Sequence, residues 1–187
     1  MQTFLPDELT AGMVLMLESI PHRVEESYVS GSAKTRHKTH FKIRNLTSGH
    51  VSEHTFPDNG RIPVADVEHR NIQLSYKNGD EFVFTDSRTF DEFTLPASLL
   101  GERQWFLAGD QEYKAVLIDN KLVDIILPDH VVLKVADTAA PQRKGQSSSF
   151  KTARMEGGLE VMVPLFIGNG DLIEVDTSTR RYIGKES

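Results

Sequence analysis

Short runs of β-branched and aromatic residues recur along the whole chain, separated by Gly, Asn, Asp and Pro. Turn pairs such as Asn-Gly at 78–79 and Asp-Asn at 119–120 fall between the runs, where they favour tight hairpins. The segment LPASLLGE at 95–102 suits a short helix, opened by Pro96 and ended near Gly101. Many short strands with frequent turns are typical of small barrels or sandwiches, so we predict an all-β protein. The predicted strands are residues 13–19, 40–46, 71–76, 80–86, 113–118, 122–127, 131–137 and 171–177.

One internal similarity bears on the number of domains. The segments GDEFVFTD (79–86) and GDLIEVDT (170–177) share a Gly-Asp start, an apolar residue at the fourth position and an end in Thr and Asp. Eight residues are weak evidence of duplication, yet they fit two related small barrels. The polar, Ser-rich segment 137–150 is interpreted as a solvated loop or linker, with a binding segment as the alternative.

The bulk composition is that of an ordinary globular protein of 187 residues, long enough for one large domain or two to three small ones. No apolar run approaches the roughly 20 residues that a membrane helix needs, and the N-terminus lacks the pattern of a secretory signal. The chain has no cysteine, which excludes disulfides, thiolate metal ligands and a cysteine nucleophile. We therefore expect a cytoplasmic protein with no membrane partner.

The stretch VSGSAKTRHKTHFKIRNL, from Val29 to Leu46, carries a local excess of positive charge in a chain whose formal net charge is -6. From Ser27 to Ser52 there is no Asp or Glu. Such a one-signed window is a candidate binding surface for a polyanion. The cations in the window are Lys34, Arg36, Lys38, Lys42 and Arg44, and the histidines are His37, His40 and His50.

Within this window, the pattern of side chains predicts a hairpin. Residues 39–46 alternate as a strand, with Phe41 and Ile43 directed to a buried face. The preceding SGSAKTR (30–36) holds only small and polar side chains, which is typical of a protruding hairpin tip. The outer face of the predicted strand carries Lys38, His40, Lys42 and Arg44.

Two explanations of this basic hairpin remain open. Edge strands carry Lys and Arg to prevent sheets from pairing edge to edge, and this protective role needs no ligand. Against it, an innocuous charged surface mixes signs, whereas a one-signed patch on an acidic body is typical of a polyanion site. Small β-barrels are common nucleic-acid scaffolds, which favours RNA as the polyanion. The residues predicted to bind RNA are Lys34, Arg36, His37, Lys38, His40, Lys42 and Arg44.

The other polar clusters in the sequence do not predict catalysis. His37 and His40 in HKTH could suggest a metal site, but no carboxylate lies nearby in the sequence and the surrounding cations repel a metal ion. The adjacent acids at 80–81 and 91–92 point to opposite faces, which does not suit acid/base work. A Gly-rich phosphate loop and a nucleophile elbow are both missing from the sequence. We expect a protein that is not an enzyme, with no catalytic residue, metal or cofactor.

The C-terminal third contains small and apolar residues at a distinctive spacing. The segment KTARMEGGLEVMVPLFIGNG (151–170) resembles the signature of bacterial elongation factor P. Residues 71–96 resemble the central domain of that family, 126–138 the entry to its third domain, and 43–56 the end of its first. The resemblance is nearly collinear over the whole chain. The signature positions that agree are Lys151, Ala153, Gly158, Val161, Val163, Pro164, Ile167 and Gly170.

This resemblance implies three small β-barrels, an N-terminal SH3-like barrel followed by two OB-folds, with an outline similar to the L shape of tRNA. The implied domains are residues 1–63, which include the basic hairpin, then 64–128 and 129–187. The resemblance also favours a monomer.

The same resemblance implies a function in translation. Members of the family bind the ribosome between the peptidyl-tRNA and exit sites and promote peptide-bond formation when consecutive prolines stall synthesis. Their N-terminal hairpin presents a tip Lys or Arg, often modified by an enzyme, to the acceptor end of peptidyl-tRNA. Counted back from Asn45 and Leu46, the tip position in this chain is Lys34. The implied partners are therefore the ribosome, peptidyl-tRNA and a Lys34-modifying enzyme.

Two features set this chain apart from the usual pattern of the family. The tip reads SAKT (32–35) where the family usually has PGKG, so the motif that a modifying enzyme would read is altered. The ending RRYIGKES (180–187) resembles the elongation factor P-like branch. The alternative function is therefore that of an elongation factor P-like paralogue, which binds tRNA or the ribosome without relieving proline stalls.

Overall fold

The computed structural model describes residues 1–31, 38–141 and 149–187. Within these ranges the chain is mainly β-strand, which confirms the all-β prediction. None of the helices in the described ranges is long and apolar enough to span a membrane. The strands are β1 Gln2–Phe4, β2 Val14–Leu17, β3 Ile20–Ser30, β4 Lys38–Asn45, β5 Val51–Thr55, β6 Ile62–Val64, β7 Glu68–Asn78, β8 Glu81–Asp86, β9 Glu92–Pro96, β10 Glu112–Ile118, β11 Lys121–Ile126, β12 His130–Thr138, β13 Phe150–Met155, β14 Glu160–Pro164, β15 Leu172–Asp176 and β16 Tyr182–Lys185. The helices are α1 Ala97–Leu100 and two 3-10 helices, Pro6–Glu8 and Gly101–Phe106.

Each predicted strand overlaps an observed strand, and the predicted helix at 95–102 contains α1. The strands that the prediction missed are β1, β3, β5, β6, β9, β13, β14 and β16. Of these, β3 is the longest. A β-bulge between Val24 and Glu26 shifts its pairing with β4 by one residue. Because the bulge interrupts the alternation of side chains, no two-residue period runs through β3 for a sequence pattern to reveal.

The N-terminal sheet has six strands in the order β1-β6-β2-β3-β4-β5, and it forms the SH3-like barrel of the chain. Strands β3 and β4 pair antiparallel from His22 opposite Asn45 to Ser30 opposite Lys38. Both strands lie inside the sheet, and their side chains Val24, Phe41 and Ile43 are buried in the core. The buried core of this sheet consists of Leu9, Leu15, Val24, Phe41, Ile43, Ile62 and Val64.

The two other sheets have five strands each and share one strand order. The orders are β11-β10-β7-β8-β9 and β14-β13-β12-β15-β16. In both, the first strand in the chain is central, with the second and third on one side and the fourth and fifth on the other. This common arrangement confirms the expected pair of OB-folds.

The chain also divides into two compact units. The first consists of Met1–Arg70, Leu95–Leu100 and Ala115–Asp124, and it contains the β3–β4 hairpin. The second consists of Asn71–Thr94, Gly101–Lys114 and Ile125–Ser187. The three domain ranges suggested by the resemblance stay a prediction.

The internal similarity between residues 79–86 and 170–177 does not mark equivalent strands. The first segment includes β8, the second strand of its sheet, whereas the second includes β15, the fourth strand of its sheet. Both strands follow a Gly-Asp turn and alternate apolar residues, so a common local requirement accounts for the similar letters. The chain does contain two sheets with the same strand order, but the similarity between these two segments is not evidence that the sheets arose by duplication.

Within residues 1–31, 38–141 and 149–187, three hairpin loops use the same turn. Behind β4, β8 and β15, a side-chain oxygen of Asn45, Asp86 or Asp176 accepts backbone N–H groups two and three residues later, at 2.7 to 2.9 Å. This bond replaces a backbone partner and fixes the first half of the loop. The chain then turns through a residue with positive φ, which is 77° at Gly49, 63° at Phe90 and 59° at Arg180.

Gly49 gives the first testable expectation. A Cβ on Gly49 would lie 2.7 Å from the backbone oxygen of Ser98, whereas a Cβ on Gly79, which also has positive φ, would meet nothing within 4 Å. Left-handed strain alone costs about 1 kcal/mol, so Gly79→Ala should lower the free energy of unfolding by about that amount. Gly49→Ala should cost roughly twice as much or more, because backbone must move. Urea denaturation of both variants tests this, and equal losses would contradict it.

The turn at Asp176 predicts a pH dependence. The N–H of Thr179, the hydroxyls of Ser178 and Thr179 and the N–H of Ser178 lower the pKa of this carboxyl to about 2. Because the pKa is lowered in the folded state, the contribution to stability is complete above the ordinary Asp pKa of about 4. It is lost as the pH falls to about 2. Carbon-13 NMR titration of Asp176 should show the low midpoint, and Asp176→Asn should remove this part of the acid sensitivity. A midpoint near the ordinary value would contradict the assignment.

Candidate nucleic-acid interface

The distal half of the β3–β4 hairpin forms an exposed arm, defined here as Glu26–Ser30 with the facing residues Lys38–Lys42. All five residues from Glu26 to Ser30 are exposed, on both faces of the strand. Strand β5 accompanies β4 only as far as Thr55, which pairs with His40. Beyond that pair the arm is two-stranded, and the last described pair is Ser30 with Lys38.

The predicted binding residues fall into two groups. Lys34, Arg36 and His37 lie outside the described residues. The other four share the outer face of β4, while Phe41 and Ile43 are fully buried on its inner face. The predicted alternation is therefore confirmed. The four residues on the outer face are Lys38, His40, Lys42 and Arg44.

The edge-protection explanation does not apply to β4 from His40 to Arg44. Over this part the strand has β3 on one side and β5 on the other, so its backbone groups are already paired. Lys42 and Arg44 therefore do not guard a free sheet edge. Lys38 lies beyond the last pair of β4 with β5, so for this residue edge protection and ligand binding both stay predictions.

The outer face of β4 is nevertheless not of one sign. Glu25 and Glu26 precede the acid-free window by one or two residues, and Glu53 follows it by one residue. Strand pairing places these acids beside the cations of β4, and Glu26 and Glu53 both lie in register with Lys42. Charge counted along the sequence missed them because their proximity arises across strands.

The three cations Arg44, Lys42 and Lys38 differ in how closely they pair with acceptor groups of the protein. Arg44 donates through Nε to Glu25 at 2.5 Å and through Nη1 to the Gly49 carbonyl at 3.1 Å, so it belongs to the fold. Lys42 lies 3.7 Å from Glu26, and both side chains are partly exposed, so the pair is weak and exchangeable. Lys38 is exposed, and none of the carboxylates in the described ranges pairs with it. Free positive charge thus increases toward the end of the arm.

A network of charged groups holds the base of the arm. Asp124 of β11 is completely buried, and Arg23 of β3 donates to it through Nη1. Arg23 also lies 3.2 Å from Glu25, the extra residue of the bulge, and Glu25 in turn pairs with Arg44. Burial raises the pKa of Glu25, but hydrogen bonds and charge from Arg44 and then Arg23 outweigh it and hold that pKa below its ordinary value.

An aromatic pair occupies the middle of the outer face. Tyr28 and His40 stack with ring centroids 5.0 Å apart and planes inclined by only 9°. The Tyr28 hydroxyl donates to Glu53 at 3.1 Å, and this bond, followed by burial and charge, raises the pKa of Tyr28. Tyr28 was not selected from the sequence because the residues of this window were selected by their positive charge. A single Tyr in a strand that was not predicted gives no periodic pattern either.

Metal binding has no support in the described ranges, where no group of three or more His, Asp or Glu side chains could hold an ion. The described side chains of the arm offer charge attraction, hydrogen bonding and stacking. These are the interactions by which β-rich proteins hold single-stranded nucleic acid.

Three family models match successive parts of the chain. The Elongation factor P (EF-P) KOW-like domain matches residues 7–59, the Elongation factor P (EF-P) OB domain matches 67–125, and Elongation factor P, C-terminal, matches 131–185. Elongation factor P of Microcystis aeruginosa is 40% identical to this chain over 147 residues, which cover 78% of this chain and 79% of that relative. The chain belongs to the elongation factor P family.

Further comparisons extend over more of the sequence. Elongation factor P of Desulfovibrio desulfuricans is 32% identical over 177 residues, which cover 94% of this chain and 95% of that relative. The solved structure of eukaryotic translation initiation factor 5A from Methanococcus jannaschii covers 67% of this chain and 92% of its own, with a TM-score of 0.49 and 17% sequence identity. Membership of the elongation factor P family, established by the sequence relatives, makes this chain a translation elongation factor.

The network at the base of the arm gives a stability prediction. Arg23→Met removes the cation that faces the buried carboxylate of Asp124, and such a change typically costs about 3 kcal/mol or more. The matched control is Lys134→Met, which removes an exposed pair with Glu156 at 3.2 Å and should cost less than about 1 kcal/mol. Urea denaturation measures both. A loss for Arg23→Met no greater than for the control would contradict the role of the network.

Proposed function

We propose that this elongation factor binds the ribosome beside peptidyl-tRNA and promotes peptide-bond formation where consecutive prolines stall synthesis. The observation that supports this most directly is the exposed arm of the β3–β4 hairpin. Its free positive charge lies at the distal end, at Lys38, while Arg44 at the base is engaged by Glu25. An arm of this kind suits contact with RNA phosphates at its end alone.

The tip assignment rests on register as well as on resemblance. Ser30 and Lys38 are the last described pair of the hairpin, and Lys34 is the middle residue of the segment 31–37 between them. Lys34 itself lies outside the described residues. We propose that Lys34 is the residue offered to the acceptor end of peptidyl-tRNA. Arg36 and His37 would add contacts to the RNA backbone.

The proposed mechanism is positioning and not acid/base chemistry. The ribosome holds the reacting groups, so a bound factor accelerates the reaction by restricting the orientation of the acceptor end. Such a role needs a rigid support and an attractive contact, and it needs no catalytic residue in the factor. We therefore propose a non-enzymatic, monomeric factor with domains at residues 1–63, 64–128 and 129–187, and a cytoplasmic location.

The test of the tip is Lys34→Ala in a translation reporter that contains three consecutive prolines. The variant should lower reporter yield to the level of a strain that lacks the factor, while a proline-free reporter is unaffected. Lys121→Ala is the matched control, since Lys121 is an exposed lysine on β11 and not on the arm. Full rescue by Lys34→Ala would show that the tip assignment is wrong. Intact-mass measurement of protein from its own host tests whether an enzyme modifies Lys34.

A second candidate function is favoured by the sequence at two places. The tip SAKT (32–35) departs from the usual PGKG of the family, and the ending RRYIGKES (180–187) resembles the elongation factor P-like branch. A paralogue of that kind would hold tRNA or the ribosome without relieving proline stalls. Ribosome profiling of a deletion strain separates the two candidates, because pauses at proline runs support the first and pauses elsewhere support the second.

A further inference from the structure

We propose that Tyr28 and His40 form a stacking platform for an unpaired RNA nucleobase on the outer face of the arm. This inference rests on the proposed function, since it assigns a second contact to the same arm. It concerns the described part of the hairpin and does not involve the tip. Its ligand is single-stranded RNA, recognised by the face of a base and by the adjacent phosphates.

The platform is fixed in orientation before any ligand arrives. One face of Tyr28 lies against the His40 ring, 5.0 Å away between centroids and nearly parallel. Both ring nitrogens of His40 have hydroxyl partners, Ser30 at 2.5 Å and Thr55 at 3.3 Å. The Tyr28 hydroxyl bonds Glu53 at 3.1 Å. A ring held on several sides loses little conformational freedom when a base binds, which favours affinity.

The ring of Tyr28 also remains accessible. Tyr28 is 45% exposed, and its neighbour Val29 is 63% exposed, because this part of β3 projects beyond the sheet core. Since His40 covers one face of the ring, the accessible surface includes the other face and the edge. A large aromatic ring, held rigidly and left in water, is the usual design of a base-stacking site.

Cations lie on both sides of the platform along β4. Lys38 and Lys42 are two residues before and two residues after His40, which places each about 7 Å away along the strand on the same face. Glu26 and Glu53 lie in register with Lys42, so negative charge opposes a phosphate at that end. The phosphate that accompanies a stacked base is therefore expected at Lys38, toward the tip. An aromatic ring beside a free cation is the arrangement found in single-strand sites.

The alternative explanation of the Tyr28–His40 stack is that it only stabilises the hairpin. This explanation predicts a different result in RNA binding. A brace would stabilise the arm whether or not a base is present, and would give no dependence of binding on the base. A platform requires that removal of the base, with the phosphates retained, weakens binding. The two readings therefore differ in a single measurable ratio.

The experiment compares two RNA probes of six nucleotides, oligo(A) and an oligonucleotide of the same length with abasic riboses. Wild-type protein should bind oligo(A) about 5- to 100-fold more tightly than the abasic probe, as expected for loss of one stacked base. Tyr28→Leu should reduce this ratio to nearly one by weakening oligo(A) alone. Tyr28→Phe and Tyr28→Trp keep the ring and should retain the ratio. The two ring-retaining variants keep the test decisive if the Leu variant disturbs the arm.

Salt dependence separates the ring from the charge. Lys38→Ala should reduce the log–log slope of affinity against salt by about 0.7, the value for one phosphate contact on a single strand, and keep the base-to-abasic ratio. Tyr28→Leu should change the ratio and leave the slope unaltered. A 2-aminopurine in oligo(A) should lose fluorescence on binding to wild type and to Tyr28→Phe, but not to Tyr28→Leu.

The inference is overturned if wild type binds both probes equally, or if Tyr28→Leu retains the preference for oligo(A). Its failure is distinct from failure of the proposed function. Lys34→Ala tests relief of proline stalls and is expected to keep the base-to-abasic ratio. A lost ratio with an intact Lys34 effect refutes the platform alone, and an intact ratio without any Lys34 effect refutes the proposed function alone.

Discussion

The interaction on which the arm depends is the contact between Arg23 and the buried carboxylate of Asp124. A buried carboxylate is costly unless a cation and hydrogen bonds satisfy it, so Arg23 has little freedom to move. Arg23 in turn orients Glu25, which the bulge in β3 displaces from the ladder and presents to Arg44. The ion pairs at the base of the hairpin therefore fix the direction of its strands. These ion pairs are strong because Asp124 is buried.

The same network divides the arm into two regions with different roles. At the base, Arg44 is satisfied by Glu25 and by the Gly49 carbonyl, so it holds the fold and is not available to a ligand. Further out, Lys42 has a weak pair, and Lys38 is exposed without a carboxylate partner in the described ranges. Carboxylates thus neutralise less of the positive charge of the described cations toward the end of the arm. A protein of net charge -6 can in this way attract RNA at a single point and repel it elsewhere.

Local pattern and pairing across strands account for what the sequence could and could not predict. The buried positions Phe41 and Ile43 follow from alternation alone, and the turn at Asn78 and Gly79 follows from its residue types. Strand β3 and the pairing of Glu25 do not follow, because a bulge breaks the period and the partner of Glu25 lies on another strand. The exposure of Tyr28 likewise depends on how far the arm projects, which no local pattern encodes.

The distribution of acids on the outer face also determines where a ligand can approach. Glu53 is engaged by the hydroxyl of Tyr28, and Glu26 by Lys42, so both carboxylates are held on the side of the arm nearer its base. A polyanion that approaches from the base meets these charges first, whereas one that approaches from the tip meets Lys38. Because like charges repel over roughly 10 Å at moderate ionic strength, the approach from the tip is favoured. The direction from which a polyanion approaches therefore depends on Glu26 and Glu53, which strand pairing places beside Lys42, as much as on the cations themselves.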